Sequence, residues 1–167
     1  MSLKLKLQKL SRESFAPFGE VIETAGAEHL IINEGTTERF HDLANIDVAN
    51  ENGKPLINIF RGSPRPRPIE IKMMERHPLG SQAFIPLQNK PYLVVVAPVA
   101  DSVGPEDLQV FMADGNQGVN YQRDLWHHPL LVLEDNHEFL VVDRGGPEDN
   151  CTEHWFTQDQ GNAHIVL

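Results

Sequence analysis

Three short clusters of polar residues carry the side chains in this sequence that could do chemistry. They span residues 75–86, 115–129 and 143–146, and each combines titratable or amide groups with Gly or Pro beside a strand-like segment. Polar groups that converge at strand ends commonly form the small-molecule site of a β-barrel. The three clusters together therefore predict one pocket rather than three unrelated surface loops.

The first cluster places two ionisable groups on one face of a strand. Side chains alternate along a strand, so Glu75 and His77 share the face of the apolar Ile69, Ile71 and Met73. Ionisable groups on an inward face are costly unless they are paired, bind a ligand or take part in a reaction. We therefore expect the two groups either to bond to each other near a turn or to do chemistry.

The second cluster contains two adjacent histidines. Tyr121, Arg123 and His127 lie at odd spacing, and His128 follows directly. Because neighbouring strand residues face opposite sides, at most one of the two histidines would enter a barrel interior. The other would cap a turn or face a partner subunit.

The third cluster follows a predicted buried strand at residues 139–142. Asp143 and Arg144 stand where this strand leaves the core, and two glycines follow. An arginine at a strand end can bind a carboxylate through two parallel hydrogen bonds. The alternative is a surface Asp–Arg pair.

The elements that would position these clusters are mostly strands. Alternating or continuous apolar segments predict them at residues 3–7, 57–61, 69–73, 92–97, 130–133 and 139–142. Short helices are expected at residues 11–15 and 104–112, and the proline-rich residues 62–68 should form an extended connector. Many short strands in 167 residues predict a single domain, residues 1–167, of the sandwich or barrel class.

Bulk composition excludes some partners. A net charge of −10 argues against nucleic acid, since phosphate binding requires a basic surface. A single cysteine, Cys151, rules out an internal disulfide and fits a reducing compartment. No apolar run approaches 18 residues, so no membrane span is expected. We predict a cytoplasmic protein.

The spacing of Glu75, His77 and Gln82 resembles the first motif of the cupins, in which two histidines precede a glutamate. The resemblance implies a mainly all-β, cupin-like double-stranded β-helix or jelly-roll barrel with one or two short helices. With His127 as a candidate fourth ligand, these residues would offer a mixed nitrogen and oxygen set to a divalent metal. Neutral glutamine is a weak ligand, so binding would be weaker than in a three-histidine site.

Over a larger part of the chain, the sequence resembles the ureidoglycolate lyase family. The similar segments are residues 18–23, 38–43, 76–86, 117–129 and 143–146, in the same order. The resemblance implies a cytoplasmic homodimer that cleaves (S)-ureidoglycolate to glyoxylate and urea in allantoin (purine) degradation. It also implies a divalent metal, and nickel has been associated with the family. Nothing after residue 151 is recognisable.

Such a reaction needs groups that bind the substrate. Arg144 or Arg123 would hold the carboxylate, with Asp143 beside the former. Gln82 and Asn120 each carry a donor and an acceptor that match a ureido group. These five residues form the predicted binding set.

The reaction also needs a base for the hydroxyl proton and an acid for the leaving nitrogen. A neutral histidine, His77 or His127, suits the first task at pH 7. Glu75, Tyr121 or the second histidine would supply the proton. Two alternatives remain open: an amidohydrolase that releases ammonia from ureidoglycolate, and a non-catalytic cupin that binds a small carboxylic acid.

Overall fold

The computed structural model describes all 167 residues, and β-strands form most of its regular structure. The strands are β1 (Ser2–Lys4), β2 (Leu7–Lys9), β3 (Gly19–Ile22), β4 (His29–Ile32), β5 (Thr37–Phe40), β6 (Lys54–Gly62), β7 (Ile69–Ile71), β8 (Met73–Arg76), β9 (Gln82–Pro86), β10 (Tyr92–Ala97), β11 (Gln109–Ala113), β12 (Gly118–Tyr121), β13 (Trp126–His127), β14 (Leu131–Val132), β15 (His137–Gly145), β16 (Thr152–Trp155) and β17 (Asn162–Ile165). Helical segments are α1 (Arg12–Phe15) and the 3₁₀ turns Asn33–Gly35, Asn50–Asn52 and Pro105–Asp107.

Two large sheets pack against each other. One has five strands in the order β3-β12-β9-β15-β6, and the other runs β16-β8-β13-β10-β11-β2 with β14 also paired to β10. Apolar side chains from both sheets meet in one inner core, which includes Phe84, Val94 and Phe139. The predicted all-β, cupin-like barrel with few short helices is confirmed. No helix has the length and apolar character needed to span a bilayer.

A second core covers the outer face of the larger sheet. The small sheet β1-β17-β7 packs there, and Val95 and Ala97 of β10 point into this layer while Val94 and Val96 point into the inner core. Burial on both faces explains why β10 is a continuous apolar run.

The alternation predicted from Ile69 to His77 is broken at one residue. Ile69 and Ile71 lie in the outer core, and so does Met74, so the phase of alternation reverses around Lys72, between β7 and β8. The expectation that the two isoleucines share a face with Glu75 is therefore wrong. Glu75 still points inward, because Met74 beside it points outward.

The two helix predictions had different outcomes. Helix α1 is confirmed, and its first turn is capped by Ser11, whose Oγ accepts a hydrogen bond from the backbone N–H of Ser14 at 3.1 Å. The helix predicted over residues 104–112 is wrong beyond its first turn. Residues 109–113 form β11, because strands β10 and β2 on either side supply their hydrogen-bond partners.

One extra residue lies between β13 and β14. Val96 of β10 stands opposite His127, and Leu93 stands opposite Leu131. Three residue steps along β10 therefore face four steps along the segment from β13 to β14. Such an insertion is a β-bulge, and strict alternation does not hold across it. Residues 63–68 join β6 to β7 as the predicted connector, and they bend at residues 67–68.

Candidate functional site

Three titratable residues form one row across the larger sheet. In β8, Glu75 stands opposite Glu153 of β16 on one side and opposite His127 of β13 on the other. Residues directly opposite each other on neighbouring strands share a face of the sheet. His77 follows the end of β8 and joins this row from the adjoining turn.

Glu75, His77 and His127 form a compact group, which we call the histidine cluster. One carboxylate oxygen of Glu75 lies 4.0 Å from His77 Nε2 and 3.9 Å from His127 Nδ1, and the two imidazole rings are 5.1 Å apart. The His127 side chain is 2% exposed, whereas those of Glu75 and His77 are 19% and 18% exposed. His127 is therefore buried, whereas Glu75 and His77 keep part of their side chains accessible to solvent.

Backbone carbonyls fix the tautomers of both histidines. His77 Nδ1 donates to the carbonyl of Asn150 at 2.8 Å, and His127 Nδ1 lies 3.3 Å from the carbonyl of His128. A ring that donates from Nδ1 carries its lone pair on Nε2. Both Nε2 atoms are buried and have no hydrogen-bond partner. Each can therefore accept a proton or bind a metal ion.

A second polar row faces the cluster from the five-stranded sheet. Tyr121 of β12 stands opposite Gln82 of β9, and Asp143 of β15 lies within hydrogen-bond distance of Gln82. Gln82 Nε2 donates to Asp143 Oδ2 at 3.2 Å, and Asn58 donates to Asp143 Oδ1 at 3.0 Å. The Tyr121 ring stacks on His127 with centroids 4.4 Å apart, which joins the two rows.

Burial shifts the pKa values in this region. Desolvation raises the pKa of Glu75, an effect that nearby His77 opposes and Glu153 reinforces. Desolvation, with a smaller contribution from His77, lowers the pKa of His127 to about 3. Burial also raises the pKa of Tyr121. At neutral pH His127 is therefore uncharged and the Tyr121 phenol keeps its proton.

The donor set fits a divalent metal ion. The ligand atoms of Glu75, His77 and His127 lie within 4.8 Å of one another. The side-chain oxygen of Gln82, on the facing row, is buried and has no hydrogen-bond partner. Two imidazole nitrogens with one or two oxygens form a set that zinc, nickel or manganese accept. The four predicted ligands thus come from two facing rows of one interior.

Comparison with known proteins decides the family. Residues 2–162 match the sequence profile of the family described as Ureidoglycolate lyase. The chain belongs to the ureidoglycolate lyase family. Curated proteins named ureidoglycolate lyase are similar over most of their length. The one from Brucella anthropi is 58% identical over 153 residues, covering 92% of this chain and 90% of its own. The one from Burkholderia mallei is 54% identical (93% and 94% covered), and that from Pseudomonas syringae pv. syringae is 52% identical (94% and 92%).

Two of the predicted binding residues lie elsewhere in this ureidoglycolate lyase family member. Asn120 precedes Tyr121 on β12 and faces away from the cluster into a cavity of about 430 Å³. Asn120 donates to the Glu20 carboxylate at 3.1 Å and to a backbone carbonyl at 2.8 Å, and Arg123 lies 3.4 Å from the Asp47 carboxylate. We call this cavity the outer cleft; its lining residues are Ala16, Gly19, Glu20, Asn45, Asp47, Ser81, Asn120, Gln122 and Arg123.

Arg144 is engaged with the backbone. Its Nε and Nη2 both donate to the carbonyl of Asn50, and Nη2 also donates to the carbonyls of Glu51 and Pro147. The side chain thereby ties two loops together, and Arg144 is only 7% exposed. These contacts correct the expectation of a guanidinium free to grip a substrate carboxylate, although its neighbour Asp143 does lie in the polar row.

His128 and Trp126 are both buried within the chain, at 3% and 2% exposure. Their burial argues against the expectation that one of them lies at a subunit interface, while the expected turn-capping role of the second histidine stays a prediction. His128 Nδ1 lies 2.8 Å from the carbonyl of Pro129, and burial lowers the pKa of His128 to about 4. His128 borders a second cavity of about 430 Å³, the cationic groove, lined by Arg65, Pro66, Arg67, Pro68, Glu70, Lys72, Met73, His128 and Trp155.

Sequence reasoning missed two residues of the C-terminal segment. Asn150 supplies the carbonyl that binds His77, and its side-chain oxygen accepts from the N–H of Leu79 at 2.7 Å. Glu153 stands directly opposite Glu75. Alternation within β16 is the one signal that could have placed Glu153 on an inward face. No local pattern marks Asn150, because its partners lie more than 70 residues earlier in the chain.

Proposed function

We propose that this protein is a lyase that cleaves (S)-ureidoglycolate to glyoxylate and urea. The observation that carries the proposal is the histidine cluster: the unpaired Nε2 atoms of His77 and His127 beside Glu75. Curated relatives that bear the name of this activity cover nearly the whole chain, which supports the same conclusion.

The reaction sets clear demands. The substrate carries a hydroxyl, a carboxylate and a ureido nitrogen on one carbon. As the hydroxyl proton leaves, the oxygen forms a carbonyl, the carbon–nitrogen bond breaks, and its electron pair goes to nitrogen. The nitrogen then takes a proton, so the reaction is balanced without further reactants. One group must accept a proton and another must give one.

Side chains of the two facing rows can fill these roles. His77 Nε2, held by the bond from Nδ1 to Asn150, accepts the hydroxyl proton. Glu75, whose pKa is raised by burial, or the Tyr121 phenol returns a proton to nitrogen. The unpaired oxygen of Gln82 accepts a hydrogen bond from the ureido N–H groups.

A divalent metal would be held by Glu75, His77 and His127, with Gln82 facing them. When bound, such an ion would polarise the substrate hydroxyl and attract the carboxylate. His77 Nε2 cannot both bind a metal and accept a proton, so metal dependence decides between its two roles. Nickel is the ion that the family resemblance implies.

Product analysis tests the proposed reaction. Purified protein is incubated with racemic ureidoglycolate, and glyoxylate, urea and ammonia are quantified. Equal glyoxylate and urea with half of the racemate consumed is the expected result. Ammonia in place of urea would make the protein an amidohydrolase, and no turnover under any condition would leave a module that binds small acids.

The same assay with added nickel or manganese tests the metal. We expect metal to restore activity to the chelator-treated wild type, and to raise its melting temperature through preferential binding to the folded state. The variant His127→Ala should show no such rise. Full activity of metal-free protein would assign His77 the role of base.

We also propose that the protein works as a homodimer in the cytoplasm. The outer face of the five-stranded sheet exposes Ile57 and Ile59, at 75% and 55%, next to partly buried Leu140 and Val142. An exposed aliphatic patch of this kind suits contact with a second copy. Sedimentation should show a dimer for the wild type and a monomer for Ile57→Lys. A monomeric wild type would exclude the dimer.

A further inference from the structure

Carboxylates surround the histidine cluster. Glu75 and Glu153 lie in one row and Asp143 in the facing row. The proposed substrate is itself an anion, so a nearby cation is needed to offset the repulsion. Arg123 and Arg144, which the sequence suggested, have their partners elsewhere.

The cationic groove begins where the cluster ends. On β8 and β16, the Met73–Trp155 pair comes two residues before the Glu75–Glu153 pair along β8. Residues two apart on a strand share a face and are separated by about 6.6 Å. Met73 and Trp155 both line the groove, so the groove and the cluster occupy neighbouring positions on one wall.

Two arginines of the groove have no partner within the chain. Neither Arg65 nor Arg67 forms an ion pair or a side-chain hydrogen bond, whereas Lys72 is paired with Glu70. The connector that carries the arginines alternates with proline, which restricts its backbone. Unpaired guanidinium groups at one groove of an acidic protein are suited to bind a carboxylate through two hydrogen bonds.

His128 adds a polar atom to this groove. Only 3% of the residue is exposed, and its Nδ1 donates a hydrogen bond to the carbonyl of Pro129. Its Nε2 forms no hydrogen bond and therefore keeps a lone pair. That lone pair can accept a hydrogen bond from a hydroxyl or N–H group of a ligand whose carboxylate lies at the arginines.

We propose that Arg65, assisted by Arg67, binds the carboxylate of a small 2-hydroxy or 2-oxo acid in the groove that adjoins the histidine cluster. The inference rests on the proposed function and deepens it, since it names the substrate-binding cation. The groove, at about 430 Å³, has ample room for a molecule the size of ureidoglycolate.

Steady-state kinetics of Arg65→Ala, Arg67→Ala and the double variant test this assignment. We expect KM for ureidoglycolate to rise about 10- to 100-fold in Arg65→Ala and further in the double variant, with kcat within about 3-fold, because the contact is made equally before and during the reaction. Arg61→Ala is the matched control: Arg61 is exposed on β6 and paired with Glu138. Its KM should not change.

Product inhibition separates carboxylate binding from a general effect. Glyoxylate carries the carboxylate and urea does not, so Arg65→Ala should raise the inhibition constant of glyoxylate and leave that of urea unchanged. Unchanged KM and glyoxylate inhibition in the double variant would overturn the proposal while wild-type turnover upheld the proposed function. If the wild type shows no turnover, calorimetry with glyoxylate still decides: Arg65-dependent binding upholds the groove, and its absence overturns it.

Discussion

The histidine cluster and the outer cleft are two polar regions served by adjacent residues of one strand. Tyr121 of β12 stacks on His127, while Asn120 beside it faces the cleft. In the cleft the hydrogens of the Asn120 amide are taken by Glu20 and the backbone, and Arg123 is matched by a carboxylate, so Asn120 Oδ1 is the one buried side-chain atom of its lining that has no partner. In the cluster two imidazole lone pairs have no partner.

The difference lies in pairing rather than in polarity. A polar network whose members satisfy one another holds a structure together, and it has little left to offer a ligand. Buried lone pairs without partners are costly, so a fold that keeps several of them together points to a ligand or a reaction. We therefore assign chemistry to the cluster and a structural role to the outer cleft.

The largest effect should come from the cluster. His77→Ala removes the lone pair assigned to proton transfer or metal binding, and kcat should fall about 10³-fold. The assay is glyoxylate release, with the melting temperature measured in parallel. His29→Ala, at an exposed histidine on β4, should keep wild-type activity. Full turnover by His77→Ala would remove His77 from the reaction.

A smaller effect is expected from the residue that orients His77. Asn150→Leu loses the hydrogen bond to the N–H of Leu79 that holds the Asn150 carbonyl in place. We expect kcat to fall about 10-fold with little change in KM, as for other groups that orient a catalytic ligand. Asn150→Asp keeps an acceptor at this position and should restore most of the activity. Equal losses in both variants would argue against orientation.

A substitution in the outer cleft should lower the stability of the protein and leave its reaction rate unchanged. Asn120→Ala leaves Glu20 Oε2 and the carbonyl of Asn45 without a donor, so the free energy of unfolding should fall by about 2 kcal/mol. KM and kcat should stay within about 2-fold of the wild type when measured well below the melting temperature. A large rise in KM would return Asn120 to the substrate-binding set.

His137 tests whether a single unpaired polar group is enough to mark a site. It is fully buried against Tyr92 and Phe139, and both of its ring nitrogens lack partners. Burial lowers its pKa below 6.5, so the unfolded chain binds a proton more readily and stability is lost as pH falls below 6.5.

His137→Phe should therefore be about 1 kcal/mol more stable at pH 7 and should lose less stability between pH 7 and 5. Urea unfolding at both pH values measures the two changes, and activity at pH 7 should equal that of the wild type. A loss of activity would show that an isolated unpaired histidine also serves the reaction.

Alternation and turn chemistry were enough to predict the barrel. The inward placement of Glu75 was right, but Ile69 and Ile71, which helped to suggest it, face the other way. The phase reversal at Lys72 left no signal, since one residue between two strands looks like continued alternation. Residues 104–112 misled because Pro105 and the acids after it favour a helical start, whereas pairing with β10 and β2 decided the outcome.

Partners that lie far apart in sequence could not be predicted. Arg144 has the same side chain whether it binds a substrate or the carbonyls of Asn50 and Pro147, and only the fold distinguishes the two. The arginines of the connector looked like spacer residues, and only the fold brings them into one groove with Met73 of β8 and Trp155 of β16. Whether such an arginine binds a substrate or the protein's own backbone depends on long-range contacts, which the local residue pattern does not reveal.

The extra residue between β13 and β14 decides which side chains of this segment face the inner core. Because of it, His127 reaches the inner cluster while Leu130 and Val132, three and five residues later, also pack inward. With strict alternation along the chain, those three residues could not share one face of the sheet. Deleting one residue here would place the His127 imidazole and the side chains of Leu130 and Val132 on opposite faces of the sheet. The length of this short segment is therefore as much a part of the site as its histidines.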